Sequence, residues 1–188
     1  ISILSITALA NSAYAIIAPF LPFEFKRKGI DQDWIGYIFS IYSVAVIFGS
    51  PLVGSMIVVL GRRNIIMLGM FLMGTSFIVF GLITETENKS LYITLSLINR
   101  FLQGLSSSMI QTTMYSISTN FYPDNKESMV GFIEAVTGVG LIMGPLIGSF
   151  LYAIGGYQFI FFSFGCLFII ASAFIKGIFP ESIDRMGN

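Results

Sequence analysis

The sequence contains no histidine, and only 11% of its 188 residues are charged, less than half of the roughly one quarter typical of a soluble domain. The missing imidazole excludes zinc sites of the His type and a Ser-His-Asp triad. Ten Lys and Arg balance ten Asp and Glu, so the basic surplus of a nucleic-acid-binding protein is absent. Cys166 is the single cysteine, which excludes a disulfide framework. These shortages leave a membrane protein as the remaining class.

Six long apolar stretches are present instead, each close to the ~20 residues that a helix needs to cross a bilayer. They are residues 1–22, 35–58, 64–84, 91–119, 129–154 and 157–179. Because backbone in lipid must satisfy its own hydrogen bonds, spans of this length are helices and not strands. The sequence therefore predicts an all-α membrane protein in which residues 1–179 form one bundle of six transmembrane helices.

The orientation of the bundle is not decided by its charges. If both ends face the cytoplasm, five Lys and Arg lie inside and four lie outside, which is nearly a tie under the positive-inside rule. A glycosylation triplet, Asn88-Lys89-Ser90, falls in an outer loop under this orientation. The first residue is Ile1 and not Met, so we expect the chain to be a piece of a longer protein.

Two ionisable residues, Arg100 and Glu134, fall inside the predicted spans. Each costs at least ~3 kcal/mol at mid-bilayer, so each requires a partner or a wet cavity. Counted from the ends of their helices, their depths differ by only ~7 Å, which is compatible with a bridge, direct or through water. The pair could be a protonation site coupled to transport or a structural charge pair. Without histidine, Glu134 is the candidate for proton exchange near neutral pH.

A polar stripe runs along the fourth predicted helix, because its polar residues recur at steps of three or four. The stripe comprises Arg100, Gln103, Gly104, Ser107, Ser108, Gln111, Tyr115 and Ser118. Such a stripe either lines a cavity or packs on another helix, and we expect a cavity. The first helix carries a thinner version in Asn11 and Tyr14, and the prolines Pro19 and Pro22 are expected to bend its end.

The fifth predicted helix is built for close contact. Gly140, Gly144 and Gly148 are spaced by four, which lets another helix approach along one stripe. Pro145 removes a backbone hydrogen bond and favours a kink. The alternative is ordinary close packing without a functional bend. No Walker-type phosphate loop and no G-x-G-x-x-G run occur, so we expect no nucleotide, no other cofactor and no metal site.

Three segments together resemble the major facilitator superfamily, in particular its drug:proton antiporters and vesicular amine transporters. The loop between the second and third helices has Gly54, Gly61, Arg62 and Arg63 in the family's arrangement. The run Arg100-Phe101-Leu102-Gln103-Gly104 is similar to the family's R-x-x-Q-G segment. The pattern from Gly131 through Gly140, Gly144, Pro145 and Gly148 is similar to the antiporter signature of the fifth helix.

The resemblance implies a fold of twelve helices in two bundles, with the substrate bound between them near the midplane. This chain is similar to the N-terminal bundle, which places both of its ends in the cytoplasm. Residues 180–188 would begin a cytoplasmic linker, and the C-terminal six-helix bundle of the same protein would be the partner. In the family, the Arg of the second segment is tied to proton coupling, which assigns that role to Arg100.

Four positions depart from the family's patterns. Val58 stands where the loop has an acidic residue that helps to latch the two halves on the cytoplasmic side, and Ala10 replaces an acidic residue that amine transporters usually carry before the Asn of helix one. Ser149 replaces the last Gly of the fifth-helix signature. The segment Pro180-Glu181-Ser182 resembles the start of a motif in sugar and organic-ion porters, which keeps that class as an alternative.

The sequence thus predicts a secondary active transporter of a small organic solute, working as a proton-coupled antiporter and not as an enzyme. Protons would bind through Arg100 and Glu134. The residues predicted to contact solute are Asn11, Tyr14, Gln103, Ser107 and Gln111. The residues predicted to change conformation are Gly54, Gly61, Arg62, Arg63, Gly140, Gly144, Pro145 and Gly148. A sugar or organic-ion porter and a non-transporting membrane subunit are the alternatives, and plasma and internal vesicle membranes are both compatible with the sequence.

Overall fold

The computed structural model describes residues 2–185, and every regular element in this range is a helix. The helices are α1 (Ser2–Arg27), α2 (Asp33–Leu60), α3 (Arg62–Ile83), α4 (Lys89–Phe121) and α5 (Lys126–Ile178), with short 3-10 helices at Pro123–Asn125 and Glu181–Arg185. The first residue of the predicted first span and the last three of the predicted linker lie outside the described residues. The fold is the all-α membrane fold expected from the sequence.

The helix α5 consists of two limbs that meet at Gly156, whose φ of 74° and ψ of −166° interrupt the helix. Glycine adopts such a positive φ without steric cost. The first limb, 126–155, runs parallel to α1, since Gly140 lies against Ala8 and Gly148 lies against Ile16. The second limb, 157–178, runs antiparallel to α3. The chain therefore reverses at the predicted Gly155–Gly156 turn, and the described residues contain six long helical segments.

Length and apolar composition identify four membrane-spanning candidates within residues 2–185, namely α1, α2, α3 and the segment that contains α5. With 53 residues, α5 is about 80 Å long at 1.5 Å per residue, enough for two crossings of a ~30 Å hydrocarbon core. The helix α4 is not among the candidates because polar side chains interrupt it. Those side chains are largely buried, so α4 lies inside the bundle and depends on its neighbours for an apolar surrounding.

The structure corrects the predicted end of the first helix. The helix α1 continues through Pro19 and Pro22 to Arg27, where a bend and a polar loop had been expected. Leu21 and Phe25 are both fully buried, and burial of a large apolar side chain stabilises by about 1.5–3 kcal/mol. This packing offsets the backbone hydrogen bonds that the prolines remove. Glu24 is therefore a buried residue of α1 and not a loop residue.

The apolar core lies between α1, α3, α4 and the second limb of α5. Phe77 packs against Phe161 and Phe168 with ring centres 6.0–6.2 Å apart, so three of the bundle's largest side chains meet there. The helix α2 packs on the other side of α4 and closes on it at Gly104, where a Cβ atom would lie 2.4 Å from the carbonyl oxygen of Tyr42. This arrangement leaves a cleft between α1, α2, α4 and the first limb of α5.

Candidate functional site

The cleft has a volume of about 270 Å³ and opens on the side of the bundle. Its lining residues are Asn11, Tyr14, Tyr42, Ser43, Val46, Ile47, Gln111 and Leu141. Three of the five predicted solute-contacting residues, Asn11, Tyr14 and Gln111, are therefore brought together. The aromatic rings of Tyr14 and Tyr42 lie 4.8 Å apart. The cleft offers a small organic molecule aromatic faces and amide groups on one wall.

The other two predicted solute-contacting residues, Gln103 and Ser107, are buried and are not among the residues that line the cleft. The Gln111 amide donates a hydrogen bond to the Ser107 hydroxyl at 2.9 Å. Gln103 accepts one from the guanidinium of Arg100 at 3.0 Å. Because α4 is buried on most of its circumference, its polar stripe extends from the cleft into the interior. In this conformation Gln103 and Ser107 hold the residues behind the cleft.

Arg100 is fully buried and lies directly behind the aromatic residues of the cleft. Its guanidinium carbon is 4.8 Å from the ring centre of Phe39, 5.1 Å from that of Tyr42 and 5.9 Å from that of Tyr14. Rings at these distances attract a cation through their π faces. The Nε and one terminal nitrogen of Arg100 have no hydrogen-bond partner. The site therefore contains a buried positive charge that is held by rings and only partly hydrogen-bonded.

Glu134 is exposed on the first limb of α5 and accepts a hydrogen bond from the hydroxyl of Tyr115. Among the described residues no ion pair joins it to Arg100, so the predicted bridge between the two is absent. Tyr115 is 15 residues beyond Arg100 on α4, which is about 22 Å at 1.5 Å per residue. The depth estimate was wrong because α4 has 33 residues and is about 50 Å long, so its ends do not mark the membrane surfaces.

The three glycines of the first limb pack against α1. A Cβ atom at Gly140 would lie 2.7 Å from the carbonyl oxygen of Ala8, and one at Gly144 would lie 2.6 Å from that of Ser12. The Ser12 hydroxyl also donates a hydrogen bond to the carbonyl of Gly140 at 3.1 Å. The helix continues through Pro145. The glycine stripe thus brings two backbones into direct contact beside the cleft.

A second polar cluster lies at the opposite end of the bundle from Glu24, where Gly61 connects α2 to α3. Arg62 donates hydrogen bonds to the Ser116 hydroxyl at 3.0 Å and to the carbonyl of Ile183 at 2.9 Å. The backbone N–H of Arg63 donates to the Asp184 carboxylate at 3.0 Å. The loop between α2 and α3 is therefore clamped to the 3-10 helix Glu181–Arg185, part of the predicted linker.

Asp184 was missed in the sequence because it lies beyond the last predicted span. Gly61 has a φ of 81°, and a Cβ atom there would lie 2.8 Å from the Asp184 carboxylate. The side chain of Arg63 also approaches Glu181 at 3.5 Å. Of the predicted conformational residues in this region, Gly54 alone has no atom within 4 Å of a Cβ position, so it makes no comparable contact within the described residues.

A bundle of long apolar helices around a polar, partly charged interior defines a multi-pass integral membrane protein. The model of the Major Facilitator Superfamily matches residues 3–186 of this chain. The chain belongs to that superfamily, a family of membrane transporters.

Three relatives illustrate the similarity. The chain is 30% identical over 181 residues to the MFS-type transporter SLC18B1 of Homo sapiens, covering 96% of this chain and 40% of that protein. It is 25% identical over 186 residues to Multidrug resistance protein 2 of Bacillus subtilis, covering 98% and 44%. It is 24% identical over 157 residues to the Quinolone resistance protein NorA of Staphylococcus aureus, covering 83% and 38%. The chain thus spans about two fifths of the length of these relatives.

Proposed function

We propose that this chain is the N-terminal half of a secondary active transporter that moves a small organic solute by alternating access. The observation that carries the proposal is the lateral cleft of about 270 Å³ with Asn11, Tyr14, Tyr42 and Gln111 on its wall. Complete small-molecule sites have volumes of about 300–1,000 Å³ and enclose most of the ligand. A cleft of this size that is open on one side is suited to be one wall of a site that a second six-helix bundle completes.

The proposed coupling residue is Glu134, which lies exposed on the first limb of α5, the helix that packs on α1 beside the cleft. Proton binding to its carboxylate would remove a negative charge and disturb the hydrogen bond from Tyr115. A ligand shifts a conformational equilibrium only by its differential affinity for the two states. We infer that the proton binds Glu134 more tightly in one access state, and that Arg100 contributes its positive charge from behind the cleft.

The direction of transport that we propose is export, or loading of a compartment, against inward proton flow. The printed names of two relatives refer to multidrug resistance and to quinolone resistance, which favours an organic solute of this size. The clamp between Arg62, Arg63 and Asp184 would lie on the cytoplasmic side under the proposed orientation. It would tie the end of this bundle to the segment that leads to the second one.

The full-length protein in proteoliposomes with an imposed pH gradient tests the coupling, with a fluorescent quinolone as the probe. We expect gradient-driven flux in the wild type and its loss in Glu134→Gln, because the amide cannot exchange a proton in this pH range. Glu127→Gln is the matched control, since Glu127 is an exposed carboxylate in the first turn of the same helix. Glu134→Asp is expected to retain part of the coupling.

Flux that ignores the pH gradient in both the wild type and Glu134→Gln would refute the coupling. A second candidate, the sugar or organic-ion porter, is favoured by one contact: Glu181 of the Pro-Glu-Ser segment lies 3.5 Å from Arg63. A radiolabelled hexose in the same vesicles distinguishes the two classes, because hexose flux without quinolone flux favours the porter. Absence of flux for every probe favours a non-transporting membrane subunit.

A further inference from the structure

A line of unpartnered polar atoms runs along α4 on its course towards Arg100. Tyr92, Ser96 and Arg100 follow one another at steps of four, and all three are at most 1% exposed. The Tyr92 hydroxyl, the Ser96 hydroxyl and two nitrogens of Arg100 have no hydrogen-bond partner in the protein. A buried polar group left unpaired costs about 1–3 kcal/mol, and native proteins leave few of them. A row of such groups indicates that water occupies the space between them.

Tyr157, at the start of the second limb of α5, joins this line from the other side. Its hydroxyl is also buried and without a partner. The side chain interacts electrostatically with Tyr92, with Glu24 and with Arg100. Tyr157 therefore lies between the carboxylate near the end of α1 and the guanidinium inside the bundle.

Glu24 lies at the other end of the line and is 1% exposed. Its carboxylate forms an ion pair with Arg27 at 2.6 Å and lies 4.0 Å from the ammonium of Lys28. The ammonium of Lys28 is 4.9 Å from the ring centre of Tyr92 and donates a hydrogen bond to the carbonyl of Thr86. The charged groups around Glu24 thus come from its own helix, and the groups that face it from α4 and α5 are the hydroxyls of Tyr92 and Tyr157.

A polar vestibule connects this cluster to the surface of the bundle. It has a volume of about 370 Å³, and the residues that line it include Arg27, Lys28, Glu85, Glu87 and Tyr157. Both basic partners of Glu24 and the Tyr157 side chain therefore border open space. Water in the vestibule has a short route to each of the unpartnered hydroxyls.

We propose that a water-filled polar path runs inside this bundle from the vestibule past Glu24, Tyr92 and Tyr157 to Arg100, separate from the solute cleft. The stretch from Tyr92 to Arg100 spans eight residues of α4, which is about 12 Å. Its ligand is water, and waters that bridge polar groups at hydrogen-bond distances conduct protons without a moving side chain. That the path supplies protons to the transport cycle rests on the proposed function. The presence of water in it does not.

Hydroxyl-radical footprinting by a brief X-ray pulse tests the water itself, because radicals form from bound water and oxidise the side chains beside it. The sample is the full-length protein in lipid nanodiscs. We expect Tyr92 to be oxidised despite its burial, and Phe77 to serve as the dry control, since it is an equally buried aromatic residue in the apolar core. Oxidation of Tyr92 as slow as that of Phe77 would refute the path.

The role in proton supply is tested with Tyr92→Phe and Glu24→Gln in the flux assay. We expect gradient-driven flux to fall by about an order of magnitude or more, while exchange of solute without a gradient is preserved. Tyr152→Phe is the control, because Tyr152 is a partly exposed tyrosine near the same end of the bundle that stacks on Phe20. Full coupling in both path variants together with its loss in Glu134→Gln would refute the proton role and leave the proposed function intact. Oxidised Tyr92 with flux that never depends on the gradient would support the path and refute the proposed function.

Discussion

Gly144→Val is expected to separate α1 from the first limb of α5 and to destabilise the bundle by about 3 kcal/mol or more, the upper part of the range for overpacked sites. A Cβ atom at this position would lie 2.6 Å from the carbonyl oxygen of Ser12 and 2.9 Å from the Cβ of Ala15. The obstacle is backbone, which cannot rotate away as a flexible side chain can. The helices would have to move apart, and the Ser12 hydrogen bond to Gly140 would lengthen with them.

The matched control for this substitution is Gly138→Val in the same limb. Nothing lies within 4 Å of a Cβ atom at Gly138, so valine there changes the helix propensity by a few tenths of a kcal/mol without overpacking. Thermal unfolding of both variants in detergent measures the difference. We expect Gly144→Val to melt about 5–10 °C below Gly138→Val. Equal melting temperatures would show that the contact between α1 and α5 is loose.

Part of the solute cleft was predictable because polar side chains at membrane depth are costly and therefore conspicuous. Asn11, Tyr14 and Gln111 stood out in apolar stretches, and the structure places all three on the cleft wall. Tyr42 and Ser43 also line it but were missed, since α2 is otherwise apolar and a lone Tyr or Ser carries little signal. Which neighbour each helix faces depends on tertiary packing, and no pattern within one helix reports it.

The incorrect pairing of Arg100 with Glu134 has a geometric cause. Depth counted from the end of a helix holds only if the helix is as long as the hydrocarbon core is thick, about 30 Å. With 33 residues, α4 greatly exceeds this length. Glu24 illustrates the opposite error: a charged residue after two prolines reads as a loop, and its burial follows from the packing of Phe25 beyond it. The glycine stripe, by contrast, was readable, because only small residues permit backbone contact.

Arg100→Met is expected to abolish gradient-driven transport, with a loss of at least about a hundredfold, while leaving the thermal stability unchanged or higher. Arg100 is fully buried, and two of its nitrogens find no partner in the protein. A buried charge with incomplete hydrogen bonding costs folding free energy, and an apolar replacement of similar volume is often neutral or stabilising. Methionine fills the space between Phe39 and Tyr42 without that cost but cannot carry the positive charge.

Arg62→Met provides the contrast, because Arg62 is also buried but its hydrogen bonds go to Ser116 and to the carbonyl of Ile183. Removing it leaves a carbonyl unpaired and opens the clamp on the segment after α5. Hydrogen bonds to a charged group are worth about 1.5–3 kcal/mol each, so we expect Arg62→Met to lower the melting temperature clearly. If Arg100→Met melted as early as Arg62→Met, Arg100 would be a structural residue of α4. If the two variants behave oppositely, the bundle retains at its centre a charge that folding does not need, and transport is the remaining reason for it.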